Sequence, residues 1–117
     1  MAFPGNHDFK YYRGDTHEFD VSLKNQDGTD FSITGYETVA FTIANQRGAS
    51  GTKTTAGATK IEPSVVRCLI TPAVGRTLSA GTYFYDVQIT DTTPDPDVIY
   101  TVLTGTITVV DDVTGAV

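Results

Sequence analysis

The sequence holds one cysteine, no tryptophan, two histidines and only eight basic residues, and each scarcity excludes something. Cys68 alone cannot close an internal disulfide, and no Cys/His group has zinc spacing, so an apolar core must hold the fold. Eight Lys and Arg against fourteen Asp and Glu leave a net charge of −6. That sign is repelled by phosphate backbones and anionic lipid surfaces, so neither nucleic acid nor a membrane is an expected partner. No apolar run approaches the roughly 20 residues of a membrane helix. The opening Met1-Ala2-Phe3-Pro4-Gly5 has neither the basic flank nor the greasy stretch of a signal peptide, so a protein made and kept in the cytosol is expected. What is present is 117 residues, 39% of them hydrophobic, which is the size of one domain.

The apolar positions recur at a period of two, the mark of half-buried strands. Phe19, Val21 and Leu23 alternate with Asp20, Ser22 and Lys24, and the Asp27-Gly28 pair then signals a reversal. Val39, Phe41 and Ile43 define a second strand, and Val66, Cys68 and Ile70 a third that buries the thiol. Tyr83, Tyr85, Val87 and Ile89 define a central strand with Phe84 as the one large apolar side chain on its other face. Ile99, Leu103, Ile107 and Val109 share one parity across Gly105, where a bulge or bend is expected. Residues 45–58 carry no large apolar side chain and read as a long exposed loop. One helical turn is expected after Thr71, an N-cap type followed by Pro72. The pattern predicts an all-β fold, an immunoglobulin-like antiparallel β-sandwich of six to seven strands, with a partly open barrel as the alternative closure.

Residues able to carry chemistry are few. Arg13-Gly14-Asp15 matches a tripeptide read by integrins, but it reads better as a turn before a strand. Asn25, Asp27 and Asp30, and again Asp91, Asp95 and Asp97, resemble fragments of oxygen-ligand loops. Both lack a closing ligand and read as solvated turns, so no metal and no cofactor are expected. His7 and His17 have Asp8 and Asp15 nearby but no nucleophile with a supporting motif, so no catalytic residues are assigned and the chain is not read as an enzyme. The N-terminal segment is rich in aromatics, with one proline: Phe3, Pro4, Phe9, Tyr11 and Tyr12. Part of this segment reads as simply the first strand; such residues are also enriched at interfaces, and the functional alternative, taken for residues 1–10, is an arm docking on a neighbouring subunit. With Phe84 they make up the candidate interface.

Three segments together carry a resemblance: Arg13-Gly14-Asp15-Thr16 before the first long strand, the stretch from Leu23 through Asp27-Gly28-Thr29 to Gly35-Tyr36, and Ala80-Gly81-Thr82-Tyr83-Phe84-Tyr85-Asp86-Val87 followed by Leu103-Thr104-Gly105-Thr106-Ile107-Thr108-Val109. The series resembles the Ig-like domain at the N-terminus of baseplate upper proteins and tail fibres of tailed bacteriophages, over residues 11–114. That resemblance implies a non-catalytic virion component, a tail or baseplate adaptor or fibre-attachment module. It also implies other virion proteins as partners and a homo-oligomer within the particle. Family members usually continue into a linker or fibre beyond the sandwich, whereas this sequence ends at Val117, so capsid decoration, beside the major capsid protein, is the alternative expectation. A more distant alternative is a carbohydrate-binding module using Phe84, Tyr100 and Tyr12 as an aromatic face.

Overall fold

A computed structural model describes residues 5–25, 27–46, 53–61, 63–93 and 95–111. The chain is all-β. Its strands are β1 (Gly5–Asn6), β2 (Phe9–Tyr12), β3 (His17–Ser22), β4 (Thr38–Ala44), β5 (Lys53–Ile61), β6 (Val65–Ile70), β7 (Gly81–Asp91) and β8 (Val98–Val110). A single helical turn, α1 (Pro72–Gly75), sits between β6 and β7. Hydrogen bonding runs in the order β1-β8-β7-β4-β5-β6-β3, with β2 also on β8, as one curled mixed sheet.

The core follows the predicted alternation. Phe41 and Ile43 from β4, Val66, Cys68 and Ile70 from β6, Tyr85, Val87 and Ile89 from β7, and Ile107 and Val109 from β8 are all buried. Leu23 and Ile33 bury themselves from loop positions, held by backbone bonds to Ser64 and Pro63. The helical turn forms for the expected reason: Thr71 has extended backbone angles and its hydroxyl accepts from the Val74 amide, while Pro72 occupies the first helical position.

Three expectations need correction. Within the stretch read as an exposed loop, residues 53–58 belong to β5, and residues 47–52 lie outside the described residues. The β5 positions facing the core are Thr54, Ala56 and Ala58, too small to register as a hydrophobic period. The strand is made by its partners: it pairs with β4 as far as Ala56, then with β6 from Gly57, and so joins the two halves of the sheet.

The second correction concerns β8. Gly105 stays in register opposite Tyr85, and the irregularity lies further back, where Val87 pairs with Leu103 but Gln88 pairs with Thr101. Val102 is therefore the extra residue of a bulge and is buried. One inserted residue reverses the side-chain parity before it. Ile99, expected inside, is 54% exposed, and Tyr100 turns inward against Phe31 and Tyr36, with ring centroids 6.4 and 6.2 Å away.

The third concerns the N-terminus. Residues 1–4 of the expected docking arm lie outside the described residues; from Gly5 on, β1 and β2 run parallel to β8 and add to the chain's own sheet, so the pairing there is not antiparallel as expected. The link between them is built for close approach. The His7 carbonyl accepts from the Tyr85 hydroxyl at 2.5 Å, and the Thr106 amide donates to the Asp8 carboxylate at 2.9 Å. A Cβ on Gly105 would lie 2.0 Å from the His7 oxygen, so only glycine fits beneath this crossing.

Candidate functional site

The residues assigned to an interface divide by location. Phe3 and Pro4 lie outside the described residues. Tyr11 is 2% exposed and belongs to the core, where its hydroxyl donates to the Asp15 carbonyl at 2.5 Å and its ring occupies the space a Cβ on Gly75 would need. Phe9 is partly buried: its ring stacks on His17 of β3 at 4.7 Å and on His7 at 5.6 Å, and meets Tyr85 edge-on. These two aromatics fasten β2 to its own core, and Tyr11, fully buried, is corrected from interface to interior. They bridge the two rims of the curled sheet, since β2 lies beside β8 at one rim and β3 beside β6 at the other. Of the described candidates, Tyr12 is half exposed, and Phe84 is partly buried on the outer face of β7.

The other candidates have structural employment. Arg13 spans from the N-terminal strand to the end of α1, donating through Nε to the Leu78 carbonyl and through Nη2 to the Arg76 carbonyl. Gly14 takes φ 89° in the turn that follows, so the Arg-Gly-Asp tripeptide is a turn with its arginine tied down. His17 is half-buried, and desolvation, then the neighbouring His7, lowers its pKa below the ordinary value. Burial pushes the Cys68 thiol up to about 12, which leaves it protonated and unreactive at neutral pH. In the first acidic turn the Asp27 carboxylate accepts from the backbone and hydroxyl of Thr29, and Lys24 pairs with Asp30. In the second, Asp91 accepts from the Thr93 amide. Among the described residues no three His, Cys, Asp or Glu converge on a point a metal could fill.

The aromatic face suggested for sugars does not assemble. Phe84 stands opposite Thr106, and Tyr100 opposite Ile89. Along β8 these positions are six residues apart, roughly 20 Å at strand spacing, and Tyr100 faces inward. Tyr12 pairs with Val110, four residues beyond Thr106 and so roughly 13 Å further along.

A different constellation does form on the outer face of β4 and β7. Because Tyr85, Val87 and Ile89 point into the core, Phe84, Asp86 and Gln88 stand outward from β7 in a row, spaced by roughly 6.6 Å. Their cross-strand neighbours on β4 are short: Ala44 beside Phe84, Thr42 beside Asp86, Ala40 beside Gln88. Long side chains on β7 next to short ones on β4 leave a trough, closed on the far side by Lys53 of β5 and by Gln46 beyond the end of β4. Its volume is about 290 Å³. The co-facial row on β7 was readable from alternation alone, whereas the short-chain floor and the Lys53 wall required knowing which strands lie beside it.

No protein-family model matches this chain, and no curated protein matches it.

Proposed function

We propose that the chain is a non-catalytic structural module of a tailed-phage virion, acting as an adaptor in the tail or baseplate. The reading rests on the resemblance stated above, and one observation supports it: each segment that carries the resemblance sits at a joint of the sheet. Arg13 of the Arg-Gly-Asp-Thr segment ties the N-terminal strand to α1. The Asp27-Gly28 turn, with Gly28 at φ 89°, closes the reversal between Lys24 and Asp30. Gly105 of the Leu-Thr-Gly-Thr-Ile segment accommodates the crossing of His7 over β8. These are residues a fold signature would retain whatever the partner surface, because replacing any of them disturbs how strands meet. In this reading the protein is made in the host cytoplasm, assembles in several copies with other virion proteins, and resides in the particle.

Quantitative mass spectrometry of purified particles tests it. A handful of copies per particle supports an adaptor. A number near that of the major capsid protein, or a simple fraction of it, moves the module to the shell as a decoration protein. Absence from the particles refutes the virion role.

A further inference from the structure

We propose that the free edge of β3 takes up an extended strand of a partner protein, one with an aliphatic side chain facing inward and a lysine or arginine facing outward. This goes beyond the structural role argued above and does not depend on where the protein resides.

β3 ends the sheet, hydrogen-bonded to β6 on one side and, among the described residues, to no strand on the other. In an antiparallel ladder alternate residues send both backbone groups to the neighbour, and those between send them away. The Leu23 amide donates to the Ser64 carbonyl at 2.9 Å, just beyond the Ser22–Val65 pair, so His17, Phe19 and Val21 are the residues bonded to β6. The N–H and C=O groups of Glu18, Asp20 and Ser22 therefore point outward, and among the described residues they meet no partner. The Phe9 ring, stacked on His17 at 4.7 Å, closes one end of the seam beside this edge. The end near Ser22 is open, and there Gly5, Val21, Leu23, Val102 and Leu103 line a gap of about 150 Å³. Apolar cavities of roughly that size admit a group as large as benzene, so one aliphatic side chain fits. An open edge with an apolar gap beside it supplies both parts of strand addition: main-chain bonds give affinity, and a pocket for an alternate side chain gives selectivity.

Register sets the pattern the occupant must have. Opposite Glu18, Asp20 and Ser22 its backbone is hydrogen-bonded and its side chains face outward, while opposite Phe19 and Val21 they face inward. The residue opposite Val21 reaches the gap and must be aliphatic. The one opposite Phe19 must be small, because the Phe9 and His17 rings already stand 5.4 and 5.7 Å from that ring. The one opposite Glu18 must be basic: Arg67 pairs with Asp20 at 2.9 Å but stands 3.9 Å from Glu18, which leaves Glu18 the less neutralised carboxylate on a chain of net charge −6. A second copy of this chain fits worse. Two-fold pairing about the middle of the edge would set Asp20 against Asp20, and like charges directly opposite are destabilising.

The test follows the amide NMR spectrum and hydrogen exchange of the full chain, titrated with the end-blocked peptide Thr-Leu-Thr-Ala-Lys, which lies antiparallel to β3 with its leucine opposite Val21 and its lysine opposite Glu18. In the free protein the amides of Glu18, Asp20 and Ser22 should exchange fast and those of Phe19 and Val21 slowly. The peptide should shift the resonances of residues 18–22 and of Leu103, with a Kd on the order of 1 mM, and slow exchange at the three outward amides. Glycine in place of the peptide's leucine should weaken binding about tenfold. Glu18→Lys, at an exposed position, should reverse the preference, so that the peptide ending in glutamate binds the variant more tightly than the one ending in lysine. Asp20→Pro removes one outward N–H that the ladder to β6 does not use, and should abolish binding by a folded protein; should it unfold, the Glu18→Lys reversal decides. Slow exchange of the outward amides in the free protein at every concentration would show the edge already covered by the chain itself, and protection that grows with protein concentration would assign it to a second copy. Either result, no shift at millimolar peptide, or binding indifferent to both the leucine and Glu18 would overturn the proposal. Peptide binding by a protein absent from particles would sink the virion reading and leave this one standing.

Discussion

Replacing Gly105 with alanine tests the account of the N-terminal edge most sharply. The added methyl would sit 2.0 Å from the His7 carbonyl oxygen and 2.8 Å from its carbon, both backbone atoms that no rotamer change can move aside. The strand above must lift. Lifting it separates the Tyr85 hydroxyl from its acceptor, the Thr106 amide from Asp8 and the His7 amide from Thr104. An orphaned buried hydroxyl costs about 1–3 kcal/mol. Partial exposure of Phe9 adds a fraction of the roughly 1.5–3 kcal/mol that a large apolar side chain gains by burial. Alanine at this position should therefore destabilise the protein by about 2–4 kcal/mol, a drop of roughly 10–15 °C in melting temperature for a domain of this size. Urea unfolding followed by circular dichroism gives the first number. Hydrogen exchange of residues 9–12 should show protection lost ahead of the rest of the sheet. Gly35, which has open space where a Cβ would go, supplies the control, and alanine there should change stability by less than about 0.5 kcal/mol. A Gly105→Ala protein of unchanged stability with residues 9–12 still protected would refute the crossing.

Acid should loosen the same edge through His17. Its folded pKa lies below the ordinary 6.5, so the unfolded chain takes up the proton first; the stability held by the neutral ring is complete above that pH and declines as pH falls from 6.5 toward the folded value. The melting temperature should fall across this window, and His17→Gln should flatten the decline; an identical slope in the variant would show that other groups are responsible. Thr71→Ala removes the cap of α1 and should cost about 1 kcal/mol by chemical denaturation, with no measurable loss contradicting the bond to Val74. Cys68, buried and with its thiol held protonated, should resist a thiol-reactive disulfide reagent at neutral pH until denaturant is added, and fast labelling of the native protein would contradict its burial.

Alternation in β3, β4, β6 and β7 and the cap at Thr71 could be read from the amino-acid order because each is a local property: a side-chain period of two, or one hydroxyl three residues from an amide. The candidate interface was read from composition, and composition does not say which way a side chain points. Tyr11 turned inward because Gly75 leaves room for its ring, and Phe9 because a histidine from the opposite rim of the sheet lies within stacking distance. The trough was half legible, with its ridge on β7 following from parity and its floor and far wall from neighbours distant in sequence.

By itself, then, the sequence determined the all-β class, the helical turn and most of the core, since hydrophobic periodicity acts along the chain. Tertiary structure decided the rest: β5 as a strand despite its small core-facing side chains, the bulge at Val102 that turned Ile99 out and Tyr100 in, and the docking of the N-terminus beside β8. Each of these depends on hydrogen bonds or close contacts between segments far apart in sequence, and a pairing partner leaves no periodic mark in the strand it selects.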